Sequence, residues 1–215
     1  GMALLQDEPG LEIELFEDPS ADLPMENLAA ADALLIRYGV ITASMAEAMP
    51  NLKVVSRHGV GCDNLPTAEL GARGVPVTIV GPVNAVSVAE QVLAMMMALT
   101  KKIISADAAV RAGDWGYRSS VQMSELSGKS MLLLGFGRIG RGVARRAAAF
   151  NMNVKVYDPF VAEQAVSEAG CELITDWHAL LGEVDFLSLH LPATPDTMGL
   201  IGAEELAEMK PTAIL

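Results

Sequence analysis

The sequence is short of basic residues, contains two cysteines and has no low-complexity stretch. Its 215 residues include 15 Lys and Arg against 27 Asp and Glu, so the formal net charge is −12 at pH 7. Because a basic patch is the usual signature of nucleic-acid binding, this deficit argues against that class of function. It is compatible with an enzyme that holds anionic ligands through local groups. Half of the residues, 51%, are hydrophobic, which predicts a packed globular protein.

Neither a metal site nor a membrane segment is predicted. Cys62 and Cys171 lie in unrelated segments without the spacing of metal ligands, and both are expected to stay reduced in a cytoplasmic protein. The most apolar window, residues 88–99, contains Glu90 and Gln91 and is too short to cross a bilayer. The N-terminal residues are mixed and acidic, unlike a secretory signal.

One segment combines an apolar run, three glycines and a helix-forming stretch. The run over residues 131–134 is typical of a parallel strand covered on both faces, and Gly135, Gly137 and Gly140 follow it as G-x-G-x-x-G. The first glycine allows a tight turn, the second lets the backbone approach a pyrophosphate, and the third lets helix and strand pack closely. The predicted helix, residues 138–150, presents free N–H groups and partial positive charge to the anion.

Arg138 and Asp158 favour a dinucleotide in this turn. A cation near a helix N-terminus is unfavourable by up to about 1 kcal/mol, and a bound phosphate would remove that conflict. Asp158 follows a second predicted strand and lies 18 residues beyond Gly140, where a carboxylate can accept hydrogen bonds from ribose hydroxyls. It would repel a 2′-phosphate, and the next two residues include no Arg to receive one, so NAD is favoured over NADP. The alternative is a structural turn in an ordinary α/β domain.

The rest of the chain alternates predicted strands and helices, which implies parallel sheets with helices on both faces. Strands are predicted over residues 11–16, 32–36, 53–57, 75–80, 131–134, 154–157, 171–174, 185–189 and 212–215. Helices are predicted over residues 25–31, 44–49, 66–73, 87–112, 138–150, 162–169, 177–181 and 203–209. The long helix is expected to begin with a capping box formed by Ser87 and Glu90.

Two doubly wound parallel-sheet domains of the α/β class are predicted, with the boundary near Asn84. The first, flavodoxin-like, covers residues 1–84 and has fewer strands than a complete doubly wound sheet. The second, of the Rossmann type, covers residues 85–215 and stops four residues into a predicted strand. Both domains are therefore expected to be incomplete, as in a fragment of a longer chain; a short but genuine protein is the alternative.

Eight short segments, in order along nearly the whole chain, carry a family resemblance. They are VVSRHGVGCDN (54–64), SVAE (87–90), GDW (113–115), LSGK (126–129), GFGRIG (135–140), YDP (157–159), HLPAT (190–194) and MKP (209–211). With these segments the sequence resembles the D-2-hydroxyacid dehydrogenase family, and within it the D-3-phosphoglycerate dehydrogenase branch. The resemblance covers far more of the chain than any single motif does.

This resemblance implies a substrate domain, an NAD domain and hydride transfer between nicotinamide and C2 of a small 2-hydroxy or 2-keto acid. The substrate-side residues that it implies are Arg37, Gly59, Val60, Gly61 and Asn84, with the N–H groups of the 59–61 turn holding a carboxylate. The cofactor-side residues are Gly135, Gly137, Arg138, Ile139, Gly140, Asp158, Pro159, His190, Pro192 and Thr197. It also implies a homodimer formed through the helix and loop of residues 87–115.

The family's catalytic Arg, Glu and His would all follow residue 215, so no catalytic residue is assigned. His58 and His178 are expected to be structural or solvated, and His190 to line the cofactor cleft rather than only to end a strand. Arg37 could equally pair with a surface acid. Two other functions stay open: a non-catalytic module that senses NAD(H), and a hydrolase or synthase with a bound, recycled NAD.

Overall fold

The computed structural model describes residues 2–16 and 25–215, and the chain forms two compact units, Gly1–Gly81 and Pro82–Leu215. The division lies three residues before the predicted boundary near Asn84. Each unit contains one parallel sheet with helices packed against it. The predicted α/β class with parallel sheets is confirmed.

The first unit is a three-stranded sheet with its core on one face. Its strands are β1 (Ala33–Ile36), β2 (Val54–Arg57) and β3 (Val77–Ile79), and its helices are α1 (Met2–Gln6), α2 (Met25–Ala29), α3 (Ala43–Glu47) and α4 (Thr67–Ala72). The strands lie side by side in chain order, with Leu35 opposite Ser56 and Ser56 opposite Thr78. Ile36 and Val55 are buried against the helices, whereas Leu35, on the other face, is exposed.

The predicted strand over residues 11–16 is wrong. These residues pair with no strand, and Leu11, Leu15 and Phe16 are exposed. Alternation of apolar and polar residues favours a strand only where a neighbouring strand and a core receive it. Within residues 2–16 and 25–215, neither a neighbouring strand nor a core receives this segment.

The second unit is a four-stranded parallel sheet with a core on each face. Its strands are β4 (Ser130–Leu134), β5 (Asn153–Tyr157), β6 (Glu172–Leu173) and β7 (Phe186–Leu189), and they lie in the order β6-β5-β4-β7. Its helices are α5 (Ala85–Thr100), α6 (Ile103–Arg111), α7 (Tyr117–Ser120), α8 (Arg138–Ala149), α9 (Glu163–Ser167) and α10 (Ala203–Glu208). In β4, Met131 and Leu133 pack on the side of α5 and α8, and Leu132 and Leu134 on the side of Trp177. All four are buried, which explains the unbroken apolar run.

The predicted capping box is wrong, because the helix begins earlier than expected. A 3-10 turn, Pro82–Asn84, leads directly into α5, which begins at Ala85. Ser87 therefore lies within the first turn of the helix and cannot cap it. Asn84 takes the N-cap position, and its side chain makes no capping hydrogen bond.

The single long helix predicted over residues 87–112 is two helices, separated after Thr100. The Thr100 carbonyl accepts a hydrogen bond from the Ser124 N–H (3.0 Å), and its buried hydroxyl donates to the Met96 carbonyl (2.7 Å), a geometry that bends helices. Lys102 then adopts a left-handed conformation (φ 53°) before α6 begins.

In the described part of the chain, no helix is both long enough and apolar enough to cross a membrane.

Two predicted elements near the C-terminus are smaller than expected. Residues 212–215 contribute one bridge, Ile214 opposite Phe186, in place of a strand. The predicted helix over residues 177–181 is a 3-10 turn, His178–Leu180. The Asp176 carboxylate accepts the N–H groups of His178 and Ala179, which stabilises a turn rather than a helix interior.

Candidate functional site

The turn from β4 into α8 carries the three glycines, and the protein's own backbone requires two of them. Gly135 has a φ of 97°, which side chains rarely adopt, and a Cβ there would lie 2.5 Å from the carbonyl oxygen of His190. A Cβ on Gly140 would overlap the carbonyl oxygen of Gly135. The turn is therefore tight, and the helix packs directly on the strand end.

Gly137 differs from the other two glycines because nothing in the described protein requires it. Its backbone is extended (φ −70°, ψ −161°), and a Cβ there would meet no heavy atom within 4 Å. The residue is exposed, so the space beside it is open to solvent. A glycine whose missing Cβ leaves open space at a helix N-terminus provides a cradle for a ligand that lies against the backbone.

Three backbone N–H groups at the start of α8 face this space without an intrahelical partner. The first helical hydrogen bond is donated by the Arg141 N–H to the Gly137 carbonyl (3.0 Å), so the N–H groups of Arg138, Ile139 and Gly140 precede it. The Arg138 side chain is exposed and forms no ion pair with any described residue. The Ile139 side chain packs against the core. Free N–H groups, the helix dipole and an unpaired cation together suit an anion.

Asp158, which follows β5, connects the turn of residues 135–140 (the glycine turn) to the loop after β5. Its carboxylate accepts the N–H of Phe136 (2.8 Å) and the N–H of Phe160 (2.9 Å). A carboxylate has about four lone-pair sites, so acceptors remain for two sugar hydroxyls. The sequence did not reveal the bond to the glycine turn, although the tendency of Asp to bind backbone N–H groups two residues ahead favours the second contact. Pro159 lies between these contacts and is exposed.

His190 lies directly after β7 and packs over the glycine turn through its main chain. Its N–H donates to the Leu134 carbonyl (2.8 Å), while its own carbonyl oxygen faces Gly135. The ring nitrogen Nε2 lies 3.1 Å from the Ser188 hydroxyl. Burial lowers the pKa of His190, so the ring is neutral near pH 7. The structure thus brings His190 next to Gly135 and Gly140, with its ring bonded to its own strand end.

The loop after His190 is stiffened by Thr197. The Thr197 hydroxyl donates to the carbonyl of Pro192 (2.5 Å) and accepts the N–H of Thr194 (2.9 Å). Pro192 itself is exposed. This local network gives Thr197 a structural role in the loop, which the sequence pattern did not indicate.

In the first unit, the turn after β2 offers two further free backbone N–H groups. The Gly59 N–H donates to the Arg57 carbonyl (2.8 Å), and the Gly59 carbonyl accepts the Val80 N–H (3.2 Å). The N–H groups of Val60 and Gly61 donate to no acceptor within the described residues. These are two of the positions at which the resemblance implies a bound carboxylate.

Arg37 and Asn84, the other two predicted substrate-side residues, are both exposed. Arg37 follows β1, and its guanidinium lies over the Tyr38 ring, 4.6 Å from the ring centre. It forms no ion pair with a described residue, so the alternative of a surface salt bridge is not observed. Asn84 belongs to the second unit rather than the first, at the N-terminus of α5.

Sequence reasoning missed Arg57, which ends β2 and whose guanidinium lies beside the Gly59–Gly61 turn. A Cβ on Gly59 would lie 2.9 Å from its Nη1 atom. The available signal was a half-buried Arg at the last position of a strand whose other residues are two valines and a serine. Such a residue needs hydrogen-bond partners, and here the partners are the loop carbonyls.

A cavity of about 540 Å³ lies between α8 and α9, away from the predicted ligand contacts. It is lined by Phe136, Arg141, Arg145, Ala165, Glu168 and Ala169. The Arg141 Nε already donates to the Phe136 carbonyl (3.0 Å), and its guanidinium lies 5.2 Å from the Phe136 ring centre. None of the free N–H groups at the start of α8 belongs to a lining residue, so the glycine turn is the stronger candidate site.

Residues 93–215 match the family described as D-isomer specific 2-hydroxyacid dehydrogenase, NAD binding domain. The chain is 41% identical over 206 residues to a D-3-phosphoglycerate dehydrogenase of Mycobacterium leprae (strain TN); the match covers 95% of this chain but 39% of that protein. It is 36% identical over 214 residues to a glyoxylate reductase of Thermococcus litoralis, covering 95% of this chain and 64% of the relative. The chain therefore spans less than half of the length of the first of these relatives.

Among solved structures, the chain is similar to a D-lactate dehydrogenase from Aquifex aeolicus that was crystallised with NAD and lactic acid. The TM-score is 0.81 and the sequence identity 31%. The match covers 87% of this chain and 56% of that one. The fold and the sequence thus point to the same group of proteins.

Proposed function

Because the chain belongs to the D-isomer specific 2-hydroxyacid dehydrogenases, we propose that its second unit, Pro82–Leu215, binds NAD and that its first unit, Gly1–Gly81, contributes the substrate turn. Bound NAD would supply the hydride donor or acceptor for C2 of a small 2-hydroxy or 2-keto acid. The names of the two sequence relatives specify acids of these classes, 3-phosphoglycerate and glyoxylate.

The open space beside Gly137 is the observation that carries the cofactor proposal. The N–H groups of Arg138, Ile139 and Gly140, together with the Arg138 guanidinium, would hold a pyrophosphate in that space. Gly135 and Gly140 support this arrangement because they let α8 start directly at the strand end. These N–H groups already lack partners among the described residues.

Asp158 is proposed to bind the adenosine ribose, with Pro159 next to it. Its carboxylate keeps lone pairs beyond the two that accept the N–H groups of Phe136 and Phe160. A 2′-phosphate would bring two further negative charges to this carboxylate, so NAD is favoured over NADP. His190, Pro192 and Thr197 are assigned to the cofactor side, as the loop that follows β7 beside the glycine turn.

The substrate carboxylate is proposed to accept the N–H groups of Val60 and Gly61 in the Gly59–Gly61 turn. Arg37 supplies a positive charge at the end of the neighbouring strand β1, where ligands of parallel sheets are held. Asn84 is assigned as a further polar contact to substrate. Within this chain, these residues bind and orient the acid, and none of them is assigned as the proton donor or acceptor.

The cofactor proposal is tested by fluorescence titration with NADH and NADPH. Wild-type protein is expected to bind NADH more tightly, and Asp158→Asn, which keeps one acceptor oxygen but loses the charge, to reduce the NADH/NADPH preference at least about tenfold. Asp158→Ala is expected to weaken NADH binding further, because the Phe136 and Phe160 N–H groups also lose their acceptor. An unchanged preference in both variants would contradict the ribose role.

A non-catalytic NAD(H)-sensing module is the second candidate, and one observation favours it. None of the described residues assigned to substrate or cofactor is a proton donor or acceptor, and the Nε2 atom of His190 lies 3.1 Å from the Ser188 hydroxyl. Mixing the full-length protein and NADH with glyoxylate, pyruvate and phosphorylated 2-keto acids separates the two. Loss of NADH fluorescence with one acid supports the dehydrogenase; NADH binding without oxidation across the panel supports the sensor.

A homodimer through α5, α6 and the Trp115 loop completes the proposal. Met95, Leu99, Ile103, Ile104, Val110 and Trp115 are all exposed apolar side chains of this region. Ile104→Lys with Trp115→Ala is expected to yield monomers in light scattering. Phe160→Lys, which changes an equally exposed residue outside this region, is the control.

A cytoplasmic location remains a prediction from the two separate, free cysteines.

A further inference from the structure

Arg57 donates four hydrogen bonds into the two loops that follow β1 and β2. Its Nε donates to the Gly61 carbonyl (3.1 Å) and to the Asn64 amide oxygen (3.2 Å). Its Nη1 donates to the His58 carbonyl (3.2 Å) and to the Arg37 carbonyl. The guanidinium therefore holds the carbonyls on both sides of the Gly59–Gly61 turn, His58 before it and Gly61 at its end.

Asn64 joins the same two loops a second time. Its side-chain amide donates to the Gly39 carbonyl (2.5 Å), and its main-chain carbonyl accepts the Ile41 N–H (3.0 Å). Arg57 and Asn64 are bonded to each other, so the two ties act together. Local polar networks of this kind restrict loop motion when every member has a partner.

The free N–H groups lie in the part of the turn that is held at both ends. Because peptide groups are planar and trans, fixing a carbonyl also fixes the N–H on the opposite side. The Val80 N–H holds the Gly59 carbonyl (3.2 Å), which directs the Val60 N–H away from β3. Arg57 holds the carbonyls of His58 and Gly61, and so fixes the peptide before and the peptide after the two that carry the free N–H groups. The guanidinium also occupies the space that a Gly59 Cβ would need.

From this geometry we infer that Arg57 is a positioning residue for the substrate: it fixes the peptides on both sides of the Val60 and Gly61 N–H groups, so that both stay available to one carboxylate. This inference rests on the proposed function of that turn. The planar fork is essential, because it reaches four acceptors at fixed angles, whereas a lysine ammonium is a point charge that cannot span them. The charge alone, which lysine keeps, is not sufficient.

Arg73 provides a matched control in the same unit. Its guanidinium also donates to two backbone carbonyls, those of Ala46 and Met49, but it has no hydrogen bond to the turn. Arg57→Lys and Arg73→Lys therefore make the same chemical change, and both remove hydrogen bonds from a guanidinium to the main chain. Only the first alters the support of the free N–H groups.

The test measures kcat and KM for the panel acid that oxidises NADH fastest, and the Kd for NADH. Arg57→Lys is expected to raise KM about tenfold while leaving the NADH Kd unchanged. Arg73→Lys is expected to leave both unchanged, whatever it does to stability. Equal KM values for the two variants would overturn the inference. Absence of both turnover and NADH binding in the wild type would instead overturn the proposed function.

Hydrogen exchange gives a readout that does not depend on turnover. In the wild type with NADH, oxalate (a non-reactive acid similar in size to glyoxylate) is expected to slow exchange in the peptide that contains residues 58–64, and Arg57→Lys is expected to abolish that protection. Protection that persists in the variant would refute the positioning role. Should Arg57→Lys fail to fold, Asn64→Ala tests the same network: a raised KM with an unchanged NADH Kd supports the inference, and an unchanged KM rejects it.

Discussion

The two units follow the same plan, but their glycine turns are held in different ways. In each, an interior strand of a parallel sheet, β2 or β4, ends in a turn with free backbone N–H groups. In the second unit, Gly135 and Gly140 fit against main-chain carbonyl oxygens. In the first unit, Gly59 and Gly61 fit against side chains, the Arg57 guanidinium and the Asp63 carboxylate.

This difference determines how each turn responds to change. A backbone atom inside a packed strand and helix cannot move aside, so an added methyl group must distort the fold. The end of a long side chain can swing away at small cost, but whatever it was holding is then released. The second turn is therefore rigid by construction, and the first is only as rigid as the contacts of Arg57.

Gly140→Ala is expected to have the largest effect, because its Cβ would overlap the Gly135 carbonyl oxygen. Chemical denaturation should give an unfolding free energy lower by about 1–3 kcal/mol, the usual range for overpacking. NADH affinity should fall at least about 100-fold, because α8 can no longer start at the strand end. Wild-type stability in this variant would contradict the close packing.

Gly137→Ala is the matched change in the same turn, and it should separate binding from stability. Its Cβ would meet nothing within 4 Å, and its backbone suits any residue, so the unfolding free energy should stay within about 0.5 kcal/mol of the wild type. NADH affinity should fall about tenfold or more, because the methyl group occupies the space assigned to the pyrophosphate. Calorimetric titration with NADH measures this, and an unchanged affinity would remove the pyrophosphate from this turn.

Gly59→Ala should have a smaller effect and should act through Arg57. The added Cβ would lie 2.9 Å from Nη1, so the guanidinium is displaced rather than the backbone, and stability should change by less than about 1 kcal/mol. The KM for the panel acid that oxidises NADH fastest should rise about threefold. Combined with Arg57→Lys, it should add nothing further, since both changes release the same contacts. Fully additive effects on KM would show that Gly59 acts independently of Arg57.

The contrast also explains which parts of the site could be predicted from the sequence. The spacing of Gly135, Gly137 and Gly140 reflects main-chain packing between elements that adjoin in the sequence, so it is visible in the pattern. The contacts of Arg57 join loops that follow two different strands and depend on side-chain direction. No local pattern encodes them, and only the three-dimensional structure reveals them.

The same distinction holds for secondary structure. The apolar run of β4 was predicted almost to the residue, because burial on both faces leaves one interpretation. The break at Thr100 was missed, because it depends on the Ser124 N–H, which lies 24 residues further along the chain. The false strand over residues 11–16 shows the opposite error: a local pattern for which the described residues contain no partner.

The amino-terminal ends of the strands differ as well between the two sheets, with a half-buried carboxylate in one and a solvated ion pair in the other. In the second unit, Asp185 accepts the N–H and hydroxyl of Ser130 (3.0 and 3.1 Å), and Lys129 and Lys210 lie 3.5 and 3.3 Å away. Partial burial alone would raise the pKa of Asp185, but these hydrogen bonds and charges outweigh it, and the pKa is lowered. In the first unit, the Lys53–Asp32 pair is largely exposed.

Asp185→Asn is therefore expected to destabilise the protein by about 1 kcal/mol near neutral pH, and Asp32→Asn to have almost no effect. Because the folded-state pKa of Asp185 is lowered, its contribution is present above the unfolded value of about 3.9 and is lost as the pH falls through the folded value. Urea denaturation at a series of pH values measures the difference in unfolding free energy between the wild type and Asp185→Asn. That difference should shrink as the solution is acidified below the unfolded pKa. A difference that stays constant or grows would mean that the carboxylate charge does not anchor this end of the strands, and the two sheets would then differ only at their carboxyl ends.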